Sequence, residues 1–198
     1  TRLISFIKEM NSDPCIHGIL VQFPLGDHLQ KLVKSEELME VVDWRKDVDG
    51  FHPFNMLHSM TKSLKMAPHF YESCTPKAVM RLLKEMEINL KGADVVLIGK
   101  SRVVGLPLLH QLLNAGATVQ VCHKSTLDLA QKCRKAEILI VAAGSPHLIQ
   151  ADWVRPGTIV IDIGINYDGE GKLIGGDVDF DRVKDIAAYI TPVPGGIG

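Results

Sequence analysis

The chain has 198 residues, 46% of them apolar and 23% charged, with 22 Lys and Arg against 23 Asp and Glu. A formal charge of -1 gives no field to draw in nucleic acid or an anionic membrane, so neither is expected as a partner and an anionic ligand must be caught by local donors. No apolar run approaches the roughly 20 residues of a membrane helix, the start TRLISFIKEM lacks a secretory pattern, and the length allows one large domain or two small ones.

Leu3, Ile4, Phe6, Ile7 and Met10 have helical spacing, broken at Asn11 to Pro14, and the apolar run from His17 to Gln22 then predicts a buried strand ended by Pro24 and Gly26. Ser35, Glu36 and Glu37 open a short helix through Val42, with acids in its first turn where the helix dipole favours them. A polar segment follows from Asp43 to Gly50, and the mixture of prolines, histidines and aromatics from Phe51 to Ser73 predicts irregular structure. A boundary is expected there, giving domains 1–74 and 75–198.

From Thr75 the pattern becomes a regular alternation. Helices are expected through Val79, Leu82, Leu83 and Met86, from Pro107 to Leu113, from Leu127 to Cys133 and from Phe180 to Asp185. Strands are expected at Asp94–Ile98, Thr118–Cys122, Ile138–Ala142, Thr158–Ile163 and Ala188–Thr191. Strands apolar on every residue and separated by helices imply a Rossmann-like parallel sheet covered on both faces.

The first strand of that sheet runs into residues 99–107, GKSRVVGLP, where a nucleotide phosphate belongs. Gly99 and Gly105 let backbone approach the phosphates, the following helix offers its N-terminal N–H groups, and Lys100, Ser101 and Arg102 add donors and charge. The end of the second strand has no acid before Asp128 to receive ribose hydroxyls, while Lys124 stands there. NADP is therefore expected ahead of NAD; the alternative is that Lys124 is a solvated strand-end lysine. Small residues at three further strand ends, around Gly144, Ile165 and residues 192–196, bring backbone close to a ligand. In the first half, Gln22 at the end of an apolar strand and the pair Asp47 and Asp49 beside Gly50 suit a polar pocket for an amidine-like edge, or equally a strand end and an Asx-turn.

Cys15, Cys74, Cys122 and Cys133 form no CxxC pair, which predicts buried free thiols in a reducing compartment. The eight histidines make no HxxxH or HExxH, and no protein-bound metal is expected.

GILVQFP (18–24), KDVDGFHP (46–53), CTPKA (74–78), GKSRVVGLP (99–107), CH followed by Thr126, AAGSP (142–146), VIDIGIN (160–166), GGDVDF (175–180) and ITPVPGGIG (190–198) together resemble the methylenetetrahydrofolate dehydrogenase/cyclohydrolases, the FolD-type bifunctional enzymes. The resemblance spans the chain. It implies an α/β protein in which a Rossmann-like domain is preceded by part of an α/β folate-binding domain. The implied activity is NADP-dependent oxidation of 5,10-methylenetetrahydrofolate to the methenyl form, then hydrolysis to 10-formyltetrahydrofolate, by a homodimer. By position, Val21, Gln22 and Phe23 line the folate pocket, Asp49 binds the pterin, and Gln22 with Asp49 forms the catalytic side. Pro194, Gly195, Gly196, Ile197 and Gly198 close the folate side. Gly99, Lys100, Ser101, Arg102, Gly105, Lys124, Gly144 and Ile165 hold the dinucleotide.

The family's Tyr-x-x-x-Lys motif, with the lysine of the hydrolytic step, is expected before residue 1, and a final helix after Gly198, so the chain is expected to be a fragment. Within it, Leu57 replaces a Gly, Ser73 a Pro, Gly26 a common Pro and Lys124 a frequent Ser. A degenerate, non-catalytic dinucleotide-binding module is the alternative reading. A cytoplasmic location is expected, with the mitochondrion left open.

Overall fold

The computed structural model describes residues 2–23, 25–61 and 70–198; Pro24, named above as a strand end, lies outside them. The chain forms two compact units, residues 1–74 and 75–198.

In the first unit, helix α1 (Arg2–Ser12) buries Ile7, while Leu3, Ile4 and Met10 on the same stripe pack beside it, as positions three and four apart must. Helix α2 (Asp27–Gln30) and helix α3 (Ser35–Val41) follow. Ile7, Ile19, Leu25, Val33, Leu38 and Val42 close into a small core. The strand expected at 17–22 is not a ladder: Ile19 bridges Asp47 in parallel, its N–H reaching the Lys46 carbonyl at 2.7 Å. Leu20 is 57% exposed, so an apolar run here was no measure of burial on both faces.

Residues 53–61, expected to be irregular, form helix α4 (Pro53–Thr61). Pro53 supplies a helical φ at the first position. Phe54 stacks on Trp44 at 4.3 Å and on His58, one turn on, at 4.0 Å between ring centroids. The buried face of α4 carries Asn55, His58 and Ser59, so a helix is present without apolar periodicity to announce it.

The second unit opens with helix α5 (Cys74–Glu85) and continues through strand β1 (Asp94–Ile98), helix α6 (Gly105–Asn114), strand β2 (Thr118–Cys122), helix α7 (Leu129–Cys133) and strand β3 (Ile138–Val141). Strand β4 (Ile159–Asp162), a hairpin of β5 (Asn166–Tyr167) and β6 (Leu173–Gly175), helix α8 (Phe180–Val183) and strand β7 (Tyr189–Ile190) complete it. The hairpin was not expected. The sheet order is β2-β1-β3-β4-β7, every pair parallel. Alternate strand residues feed opposite layers. Val95, Leu97, Ile138, Ile140 and Ile161 pack with Val79, Leu83, Leu108 and Leu112, while Val96, Ile98, Leu139, Val141 and Val160 pack with Cys133, Ile149, Val178 and Val183. Strand β2 is an edge, with Thr118 and Gln120 exposed, and so is not buried on both faces as expected.

Cys122 and Cys133 are buried free thiols, but Cys15 and Cys74 are exposed, because they sit in the turn after α1 and at the start of α5. Burial pushes the Cys133 thiol up to about 12 and raises that of Cys122.

Candidate functional site

The chain reverses direction across the sheet between β1 and β3, since β1 is followed by β2 on one side and then by β3 on the other. Ligands of open α/β sheets collect at the carboxyl ends of strands at such a point. There Gly99 has φ +118°, and a Cβ on it would run into the Ala142 carbonyl. A Cβ on Gly105 would strike the Gly99 carbonyl. Both glycines are thus required for the turn to fold on itself and against the loop after β3. The Gly99 N–H donates to Cys122 at 2.9 Å and the Ala142 N–H to Ile98 at 2.8 Å, which joins the ends of β2, β1 and β3.

The N–H groups expected to be on offer at the start of α6 are already engaged. The Ser101 hydroxyl accepts the Val104 and Gly105 N–H groups at 3.2 and 3.3 Å. The Leu106 N–H goes to the Ser101 carbonyl at 2.9 Å and the Leu108 N–H to Val104 at 3.0 Å, while Pro107 has none. The first turn of α6 is internally satisfied, so an anion here is held by the turn and its side chains rather than by the helix end. Ser101 keeps its own hydroxyl proton to donate. Lys100, Ser101 and Arg102 are exposed, and among the described residues no carboxylate pairs with Lys100, Arg102 or Lys124. Lys124 lies exposed on the turn after β2. His123 and Thr126 close that turn, the His123 N–H donating to the Thr126 hydroxyl at 2.8 Å. This donor set fits a phosphorylated dinucleotide: free cations, one hydroxyl and closely approached backbone.

Gly144 and Ile165 sit exposed on the loops after β3 and β4. Beneath them lies a buried pair that sequence reading did not single out, Asp162 and Asp177, 2% and 0% exposed. Asp177 accepts N–H groups from Ala143, Gly144 and Ser145 and the side-chain amide of Asn166. Asp162 accepts N–H groups from Gly164, Asp177 and Val178. Burial, and more weakly the charge of Asp177, pushes the Asp162 carboxyl up to about 6 against the opposing pull of its N–H donors. The available signal was the type of residue: a carboxylate within an apolar strand is buried only when its oxygens are fully engaged.

Beyond β7, Thr191 donates its hydroxyl to the Asp162 carbonyl at 3.2 Å. Pro194, Gly195, Gly196 and Gly198 are exposed, the Val193-Pro194 peptide is cis, and Ile197 packs on the core layer of Val95 and Leu97.

In the first unit, Val21, Phe23 and Asp49 line one small pocket with Phe51, Ile19 and Met39. Phe23 and Phe51 face each other at 6.4 Å between centroids. Burial first, and the Asp47 charge second, raise the Asp49 carboxyl above its usual range. Asp47 is engaged internally, accepting from the His52 N–H at 2.8 Å and the Asn55 amide at 2.9 Å, which leaves Asp49 as the carboxylate for a ligand. Gln22 does not line the pocket: it is exposed, its amide donating to the Phe23 carbonyl at 3.1 Å.

Residues 73–198 match the family profile described as tetrahydrofolate dehydrogenase/cyclohydrolase, NAD(P)-binding domain, and residues 1–49 match the catalytic domain of the same family. The chain belongs to this family. It is 50% identical over 196 residues to the bifunctional protein FolD of Nautilia profundicola, covering 99% of this chain and 66% of that relative. The crystal structure of the bifunctional enzyme FolD from Campylobacter jejuni superposes with a TM-score of 0.88 at 47% identity, over 100% of this chain and 67% of that one. The Trypanosoma brucei enzyme, solved as a complex with NADP cofactor and inhibitor, gives 0.86 at 34% identity, over 99% of this chain and 66% of that one. The chain thus spans 66% of the length of the Nautilia relative. Within the tetrahydrofolate dehydrogenase/cyclohydrolase family the matched NAD(P)-binding domain contains the Gly99 turn, Lys124 and both strand-end loops, and the stretch matched to the catalytic domain contains Val21, Gln22, Phe23 and Asp49.

Proposed function

We propose that the protein to which this chain belongs oxidises 5,10-methylenetetrahydrofolate to 5,10-methenyltetrahydrofolate with NADP, and hydrolyses the product to 10-formyltetrahydrofolate. The observation that carries this reading is the turn at Gly99: a backbone cradle beside exposed Lys100, Arg102 and Lys124, in a chain of this family. Bound NADP supplies the hydride acceptor. The protein's part is to bind and orient. Lys100 and Arg102 neutralise the pyrophosphate, Ser101 donates its hydroxyl, and Lys124 takes the 2'-phosphate that a carboxylate at the end of β2 would repel.

For the folate, Val21 and Phe23 supply apolar walls and Asp49 accepts from the amidine-like edge of the pterin. A half-buried carboxylate already raised by burial gains most from a ligand that donates hydrogen bonds to it. Gln22, exposed beside this pocket, aligns the substrate with the catalytic group of the hydrolytic step through its side-chain amide.

The test uses the full-length protein: calorimetric titration with NADP and NAD, with methenyltetrahydrofolate formation and its hydrolysis followed by absorbance. Tight NADP binding with both conversions is expected. Absence of NADP binding refutes the assignment, and binding without either conversion favours a non-catalytic module. We also propose a homodimer, which sedimentation at micromolar concentration checks.

A further inference from the structure

The loop after β3 turns three successive N–H groups inward. Those of Ala143, Gly144 and Ser145 reach the Asp177 carboxylate at 2.6, 3.0 and 2.8 Å, a partner 32 to 34 residues further along the chain. The loop after β4 reaches the same carboxylate through the Asn166 amide at 2.9 Å. Asp177 fills the space where Gly164 would carry a Cβ, and Asp162 holds the Asp177 backbone in turn, accepting its N–H at 3.1 Å. One fully buried carboxylate therefore fastens two loops whose exposed members include Gly144 and Ile165.

Because its N–H groups are consumed, the loop after β3 is no anion site, and phosphates belong to the Gly99 turn. With sheet order β2-β1-β3-β4, a dinucleotide whose 2'-phosphate is at the end of β2 and whose pyrophosphate is at the end of β1 lays its remaining half over the loops after β3 and β4. Resting on the NADP reading above, we propose that Asp177 is the positioning residue for the nicotinamide half of the cofactor, acting through the two loops it ties together. Asp177 touches no ligand; it fixes the backbone that does, as a surrounding shell does for any preorganised site.

The discriminating probe is adenosine 2',5'-bisphosphate, which carries the 2'-phosphate but lacks the nicotinamide half. Full-length wild type, Asp177→Asn and Asn166→Ala are titrated with NADP and with this fragment. Asp177→Asn is expected to weaken NADP binding about tenfold while fragment affinity stays within about twofold. Asn166→Ala, which removes one of the donors to Asp177, is expected to shift NADP in the same direction by less. Equal weakening of both ligands would reduce Asp177 to a structural role, and unchanged NADP affinity in the variants would overturn the proposal outright. If Asp177→Asn does not fold, Asn166→Ala decides by the same criterion. A wild type that binds neither ligand refutes the NADP reading itself, and the proposal falls with it.

Discussion

Replacing Gly99 by alanine isolates the geometry on which the phosphate turn depends. At φ +118° an L side chain is strained by about 1–3 kcal/mol. The new Cβ would also lie 2.9 Å from the Ala142 carbonyl carbon and closer still to its oxygen, and backbone cannot swing aside as a side chain can. Separating the strand ends weakens the bonds from Gly99 to Cys122 and from Ala142 to Ile98, about 1 kcal/mol each. The expected loss is about 3–5 kcal/mol. Gly144→Ala is the internal control. It too has positive φ, +64°, but nothing lies within 4 Å of its Cβ, so it should cost only about 1–2 kcal/mol. Urea unfolding followed by Trp153 fluorescence, in a Trp44→Phe background, reads the second unit alone, because Trp153 packs on that unit's core. A Gly99→Ala loss no larger than that of Gly144→Ala would refute the close-approach argument.

Asp162 gives a pH signature. Its folded value of about 6 is raised from 3.8, so folding favours the protonated form. Its contribution is fully present below pH 3.8 and lost as pH rises through about 6. The stability of wild type relative to Asp162→Asn should fall by about 3 kcal/mol across that window, and a flat difference between the two denaturation series would dismiss the shift. Lys124→Ala should lower NADP affinity about tenfold or more with NAD affinity unchanged; an unaltered NADP to NAD ratio removes Lys124 from the site. Iodoacetamide at pH 7.5 should modify Cys15 and Cys74 in the folded protein and reach Cys122 and Cys133 only after denaturation, which peptide mapping by mass spectrometry checks.

The sequence by itself determined the parallel sheet of the second unit and the helices between its strands. Its strands are short apolar runs, its helices carry the 3.6-residue stripe, and GKSRVVGLP between β1 and α6 marks a phosphate turn because only glycine fits where backbone meets backbone. These are local signals, and local chemistry decides them. The resemblance across nine motifs likewise lay in the sequence. What the sequence did not reveal was decided by partners remote in the chain. Helix α4 was missed because its inward face is Asn55, His58 and Ser59, stabilised by Trp44 and Asp47 rather than by apolar burial. Ile19 and Leu20 belong to one apolar run, yet Ile19 is 5% exposed and Leu20 57%, since the run pairs at a single bridge. Asp177 reads as one polar residue in a glycine-rich stretch until the fold brings Ala143, Gly144, Ser145 and Asn166 around it. Its burial is tolerable because those donors satisfy it, and a set of donors drawn from two other loops exists only in the tertiary structure.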